Sequence, residues 1–179
     1  MDPRTHDERA AKLDDAAVSR MNAVSLMTRR EIEARIVAPL LEAMGREFGR
    51  ERVLEIAREV VVEIAREHGE QLAQASPDRS LVQFSETLEN WKKDNALEMD
   101  MLEVTDSKLS FNVTRCLYAE MYRAVGIPEL GALLSCNRDW ALIQGFNPEA
   151  TLTREHTIMQ GAAFCPFRYE IKPKAEPGI

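Results

Sequence analysis

Met99-Asp100-Met101-Leu102-Glu103-Val104, Thr105-Asp106-Ser107-Lys108 and Leu109-Ser110-Phe111-Asn112-Val113-Thr114 run consecutively, and their reading decides the fold. Leu109, Phe111 and Val113 alternate with Ser110, Asn112 and Thr114, which gives the second run one apolar and one polar face. Four turn-forming residues separate it from the run before. The stretch therefore predicts a β-hairpin whose apolar face needs a covering layer.

That layer is legible upstream. Between 29 and 48, Ile32, Ile36, Leu40, Met44 and Phe48 recur every fourth residue with Val37 and Leu41 beside them, while Arg30, Glu33, Glu42 and Glu47 take other faces. This predicts an amphipathic helix capped by Thr28, kinked or restarted at Pro39 and ended by Gly45 and Gly49. Val53, Leu54, Ala57, Val60, Val61, Ile64, Ala65 and Leu72 predict a second helix over 51–73. After Ser76-Pro77-Asp78, Leu81, Phe84, Leu88 and Trp91 mark a third, ending near Lys92-Lys93, where cations suit the carbonyl end. A further helix is expected within 7–27.

Downstream, 116–125 is helical in pattern, Gly126-Ile127-Pro128 interrupts it, and 129–135 resumes with Leu130, Leu133 and Leu134. Segments 151–159 and 164–171, joined around Gln160-Gly161-Ala162-Ala163, read as a second hairpin before a polar, frayed tail. The expected fold is α+β: N-terminal helices followed by two β-hairpins forming an antiparallel sheet with short intervening helices. One domain accommodates it, with 1–28 as N-terminal arm or helix, 29–95 as helical scaffold, 96–171 as sheet and site-bearing part, and 172–179 as tail.

Composition narrows the function. A chain of 179 residues suits one core. Lys plus Arg is 23 against 30 for Asp plus Glu, a net charge of −7, which argues against a nucleic-acid partner. No apolar run approaches the roughly 18 to 20 residues of a membrane span, and the first residues lack a signal-like apolar stretch, so a cytoplasmic protein without a membrane partner is expected. The three cysteines, at 116, 136 and 165, form an odd set without Cys-x-x-Cys and read as reduced thiols.

Those thiols carry the candidate chemistry. Cys116 falls at a strand-to-helix junction, where partial positive charge favours thiolate, and Glu120 one turn on is placed to take its proton or bind a cation. The plainer alternative is a small buried hydrophobe beside a solvated carboxylate. Cys136 precedes Asp139, either an acid–base group or a capping acid. In the predicted second hairpin Leu152, Arg154, His156 and Ile158 share a face, so His156 is either a core histidine or the general acid–base of a thiol mechanism. Cys165 alternates with Phe167, Tyr169 and Ile171 on a core-like face. Zinc held by the cysteines and His156 is a lesser alternative, because the spacing lacks the short paired gaps of zinc ribbons and fingers; no cofactor is expected. Arg115, Arg138, Arg154 and Arg168 lie near these groups and suit a substrate carboxylate.

The blocks Phe111-Asn112-Val113-Thr114-Arg115-Cys116-Leu117-Tyr118-Ala119-Glu120-Met121-Tyr122, Gly126-Ile127-Pro128-Glu129-Leu130-Gly131, Leu134-Ser135-Cys136-Asn137-Arg138-Asp139, Phe146-Asn147-Pro148, Leu152-Thr153-Arg154, Thr157-Ile158-Met159-Gln160-Gly161 and Cys165-Pro166-Phe167-Arg168-Tyr169 occur in one order. In that order the chain resembles the L-2-amino-thiazoline-4-carboxylic acid hydrolase family over about residues 91–169. Where the family pattern has Cys-Asp-Phe-Arg, this chain has Pro166, which removes a charge and a backbone donor together.

The resemblance implies hydrolytic opening of a cyclic isothiourea or related ring at an amidine-like or amide carbon, by cysteine-assisted or carboxylate-assisted water attack. Cys116, Glu120, Asp139, His156, Cys136 and Cys165 are then the catalytic candidates, and Arg138, Arg154, Arg115 and Tyr118 the substrate contacts. Two routes stay open: attack by a Cys116 thiolate, with His156 handling protons, or direct attack by water with Asp139 as base. The last blocks are also similar to small 4-vinyl reductase domains, implying as the alternative a non-catalytic small-ligand-binding or sensor domain with structural or zinc-binding cysteines. Apolar surface on the long helices beyond what a small sheet can cover makes a homo-oligomer an expectation.

Overall fold

The structure, a computed structural model, describes residues 24–172. The helix expected within 7–27 falls mostly, and the tail beyond 172 wholly, outside the described residues.

Helix α1 spans Leu26–Phe48 and is capped one turn earlier than its sequence suggests, by Ser25, whose Oγ accepts the Thr28 N–H at 3.2 Å. It runs through Pro39 and Gly45 without ending. Gly49, at φ +89°, closes α1 and opens α2, Arg50–Ala75, and that left-handed backbone is why a glycine stands there. Helix α3, Leu81–Lys92, starts at Ser80, whose Oγ accepts the Gln83 N–H. Asp94 and Asn95, both at positive φ, then reverse the chain into the sheet.

Strands β1, Leu97–Val104, and β2, Lys108–Cys116, form the predicted hairpin, with Leu97 opposite Cys116 and Val104 opposite Leu109. Helix α4, Leu117–Ala124, leaves β2 directly; a helical turn at Pro128–Gly131 and a π-helical turn at Ala132–Cys136 lead into α5, Arg138–Phe146. Strand β3, Ala150–Thr153, and β4, Cys165–Ile171, complete an antiparallel sheet of order β1-β2-β4-β3. The α+β architecture expected from the sequence is the one observed.

The second hairpin differs from its sequence reading. Strand β3 stops at Thr153, and 154–164 form an excursion containing a 3-10 turn, Ile158–Gln160, capped by Thr157 and closed by Gly161 at φ +99°. Arg154, His156 and Ile158 therefore do not share a strand face with Leu152. The cap and the left-handed glycine interrupt pairing just where alternation alone suggests that it continues.

Two apolar clusters hold the layers together. One lies between the inner sheet face and α3 and α5, with Phe84, Phe111, Phe146, Phe167 and Tyr169; the Phe111 and Phe167 rings stack with centroids 4.8 Å apart. The other joins α1 and α2 to α4 and the π-helical segment through Ala34, Tyr122, Leu133, Leu134 and Met159. Cys116 packs against both.

Helices α2 and α5 approach until their backbones touch. A Cβ on Gly69 would fall 2.1 Å from the Leu142 carbonyl oxygen, and one on Gly145 would fall 2.0 Å from that of Arg66. This crossing fixes the N-terminal turn of α5, with Arg138 and Asp139, beside α2.

Candidate active site

Between the two clusters lies a partly open cavity of about 100 Å³, several times the ~10–15 Å³ that one water requires. Each wall comes from a different element: Cys165 and Phe167 from β4, Val113 and Cys116 from β2, Cys136, Arg138 and Asp139 from the π turn and α5. Helix α1 contributes Leu26 and Arg30, α2 contributes Ala65 and His68, and Tyr118, Trp91, Met159 and Arg154 complete the lining. All three sulfur-bearing segments and Asp139 thus meet at one hollow, although 49 residues of sequence separate Cys116 from Cys165.

Asp139 and Arg154 form its polar centre. An Arg154 Nη donates to the Asp139 carboxylate, the other Nη donates to the Cys136 carbonyl at 2.9 Å, and the guanidinium lies over the Phe167 ring, 4.8 Å from its centroid. Burial raises the carboxyl pKa of Asp139 against the opposing pull of Arg154, Arg30 and Arg138. The carboxylate points to Arg154 and no side-chain hydrogen bond caps α5, so the capping reading of Asp139 is corrected.

A second polar group sits toward α1. Arg30 and Arg138 both donate to one carboxylate oxygen of Glu33, and Arg138 Nε also donates to the Leu134 carbonyl at 2.7 Å. Two guanidiniums share one carboxylate, which leaves this end of the cavity with an excess positive charge. Burial and the neighbouring Arg30 lower Arg138 to about 10. Arg30 was missed in the sequence because it read as one charge among several on an amphipathic helix.

Among the described residues, His68 is the histidine that lines the cavity. Desolvation and the surrounding Arg30, Arg29 and Arg138 lower its pKa, which favours the neutral imidazole. A signal for it existed: it lies three residues after Ala65 and seven after Val61, beside the buried stripe of α2, though the residue itself is exposed. His156 instead stands edge-on to Phe164 outside the lining, because the excursion after β3 turns it away. Glu120 and Arg115 are also outside, joined in an exposed ion pair at 2.9 Å with Glu98 nearby. Helical periodicity placed Glu120 with Cys116, but Cys116 is the residue before the helix and Glu120 points to solvent.

The thiols run against the thiolate expectation. Burial pushes Cys116 up to about 11, outweighing the backbone N–H groups of Ala119 and Tyr118, and pushes Cys136 up to about 12. Cys165 is raised for the same reason, although its sulfur accepts the Ile158 N–H at 3.1 Å. Tyr118 lines the cavity with its hydroxyl donating to the Trp91 carbonyl at 3.5 Å. Among the described residues no three His, Cys, Asp or Glu side chains are grouped to hold a metal ion.

Raised thiols make the fold alkali-sensitive. Above pH 9 the unfolded chain releases thiol protons that Cys116 and Cys136 retain to about 11 and 12 in the folded state. The folded state then binds more protons, so stability falls as pH rises through this window. Thermal melts at pH 8 to 10 are expected to show a falling Tm, with a shallower fall in Cys116→Ala/Cys136→Ala; equal slopes would contradict the assignment.

Pro166 shares an edge of this site without entering it. It is paired with Asn112, and strand alternation puts it on the sheet face opposite Cys165 and Phe167. On that outer face Arg168 donates to the Asn112 side chain at 2.9 Å and to the Phe111 carbonyl at 2.8 Å.

The molecule is thus an α+β protein, a helix-covered antiparallel sheet with a charged cavity between its layers. The chain belongs to the L-2-amino-thiazoline-4-carboxylic acid hydrolase family, whose model matches residues 29–169. No curated protein gives a significant match. Two solved structures are similar in fold. One is a trafficking protein particle complex subunit 3 from Naegleria fowleri, covalently bound to palmitic acid, at 11% identity and TM-score 0.50, covering 81% of this chain and 96% of that one. The other is the phenol-responsive sensory domain of the transcription activator PoxR with phenol, at 9% identity and TM-score 0.50, covering 78% of this chain and 75% of that one. Among the described residues no helix is long and apolar enough to cross a membrane.

Proposed function

We propose that this protein hydrolyses a small heterocycle at an amidine-like carbon, and that the ring is a carboxylate-bearing cyclic isothiourea such as 2-amino-thiazoline-4-carboxylate. The observation that carries this reading is the charge layout of the cavity: a carboxylate, Asp139, at one place and the under-neutralised Arg30–Arg138 pair at another. A zwitterionic ring fits such a layout, its amidinium N–H groups toward Asp139 and its carboxylate toward the guanidiniums. Family membership supplies the reaction class.

In this reading water is the nucleophile. Water adds to the ring carbon and His68 accepts one of its protons; the carbon–sulfur bond breaks as that proton passes to the departing sulfur, and the remaining hydroxyl proton leaves to solvent, giving a carbamoylated amine and a free thiol. Asp139 keeps the amidine protonated and therefore electrophilic, and Arg154 holds Asp139 in place. Cys116, kept protonated by burial, is a wall of the site rather than its nucleophile. Cys116→Ser is expected to retain turnover of 2-amino-thiazoline-4-carboxylate, and intact mass after denaturing quench is expected to reveal no adduct on the wild-type chain. An adduct that disappears in Cys116→Ser would overturn the water route in favour of covalent catalysis.

A second reading rests on the mainly apolar remainder of the lining, with Leu26, Trp91, Val113, Met159 and Phe167. Similar folds hold palmitic acid and phenol, so a non-catalytic apolar-ligand domain is the competing assignment. Protein that leaves every ring in a thiazoline, imidazolinone and hydantoin panel intact, yet releases a stoichiometric apolar molecule on denaturation, would favour it.

A further inference from the structure

Helix α1 is built inside out. Its buried positions are the small residues Ala34 and Ala38, while Ile32, Ile36, Leu40, Met44 and Phe48 are 39 to 68% exposed. The adjoining α2 adds exposed Ile56, Val60 and Ile64. An amphipathic helix on a finished surface points its large apolar side chains inward. Here they point out.

We propose that this face binds the same face of a second copy of the chain in an isologous dimer centred on α1. The eight side chains expose apolar area on the order of 800 Å², about what each partner contributes to a standard stable interface and more than the ~300–600 Å² of the largest patch on an ordinary monomer. The stripe is also self-complementary. Its members recur every four residues and are symmetric about Leu40, so an antiparallel two-fold places Leu40 on the axis and Ile36 beside the partner's Met44. Some flanking charges pair within each helix, Arg35 with Glu31, Arg52 with Glu55 and Arg66 with Glu63. Residues 1–23 of the same chain are the alternative occupant, but their larger apolar side chains beyond Met1 are only Leu13, Val18 and Met21, too few to cover eight. Because α1 also carries Leu26 and Arg30 into the cavity, pairing would brace one wall of the site.

Sedimentation equilibrium at micromolar concentration is expected to give the mass of a dimer for the wild-type chain. Leu40→Glu, which buries a charge on the axis, is expected to weaken association at least about hundredfold while far-UV circular dichroism stays unchanged. Should that variant misfold, Leu40→Cys provides an independent reading: mild oxidation links it to itself, whereas Glu86→Cys on exposed α3 stays monomeric on non-reducing gels. A wild-type monomer at all concentrations, a Leu40→Glu chain that remains dimeric, or Leu40→Cys that fails to cross-link would overturn the proposal. So would a wild-type monomer that dimerises only after residues 1–23 are removed, since the covering segment would then be the chain's own.

Discussion

Asp139→Asn is expected to lower ring opening by about 10²–10³-fold while the protein stays folded. The side chain keeps its shape and an oxygen that accepts from Arg154, so loss of the buried partner, which costs about 3–5 kcal/mol when a charge is left alone, is softened. What disappears is the negative charge facing the amidinium. Its loss lowers the fraction of ring held as the electrophilic amidinium and removes the group that orients the amidine N–H groups toward attack. The effect should fall mainly on kcat. Glu120→Gln and His156→Ala, outside the cavity, are expected to leave turnover near wild type. Steady-state kinetics on the three variants checks this, and a near-normal Asp139→Asn beside a dead His156→Ala would contradict the placement of the chemistry.

The second large effect is structural. Gly145→Ala puts a methyl 2.0 Å from the Arg66 carbonyl oxygen, against backbone with no flexible side chain to yield. Helices α2 and α5 must separate, which costs about 1–3 kcal/mol or more as overpacking. Urea unfolding should register it as a lower midpoint with little change in slope. Gly69→Ala probes the same crossing from the other side, 2.1 Å from the Leu142 carbonyl oxygen, so the double variant should cost less than the sum of the two. Separation of the helices also moves Asp139 and Arg138 away from His68 and Ala65, so activity should fall further than stability alone accounts for. A Gly145→Ala chain as stable as wild type would contradict the close crossing.

The elements legible in the sequence are those whose periodicity is set by one buried face. Leu109, Phe111 and Val113 alternate because β2 lies on the core, and Leu81, Phe84 and Leu88 repeat because α3 covers it. The second hairpin misled for a local reason: Thr157 and Gly161 impose a turn that the alternation of Leu152 and Arg154 does not reveal. Cys116, Cys136, Cys165, Asp139, Arg138, Arg154 and Tyr118 were nameable from their neighbours and line one cavity. Arg30 and His68 were not named, because each lies on a long helix whose pattern is already explained by packing and only tertiary contact brings it to the thiols. A helix start argues for thiolate at Cys116, while the burial that opposes it is a property of the assembled layers and not of the local sequence.

The proposed chemistry rests on where the ring sits and how it is turned. A crystal structure of the Asp139→Asn protein with L-2-amino-thiazoline-4-carboxylate tests that directly. The predicted result is the ring inside the cavity, its carboxylate on Arg30 and Arg138 and its amidine nitrogens facing residue 139. A ring bound elsewhere on the protein, or held in the cavity with its carboxylate turned away from both guanidiniums, would contradict it.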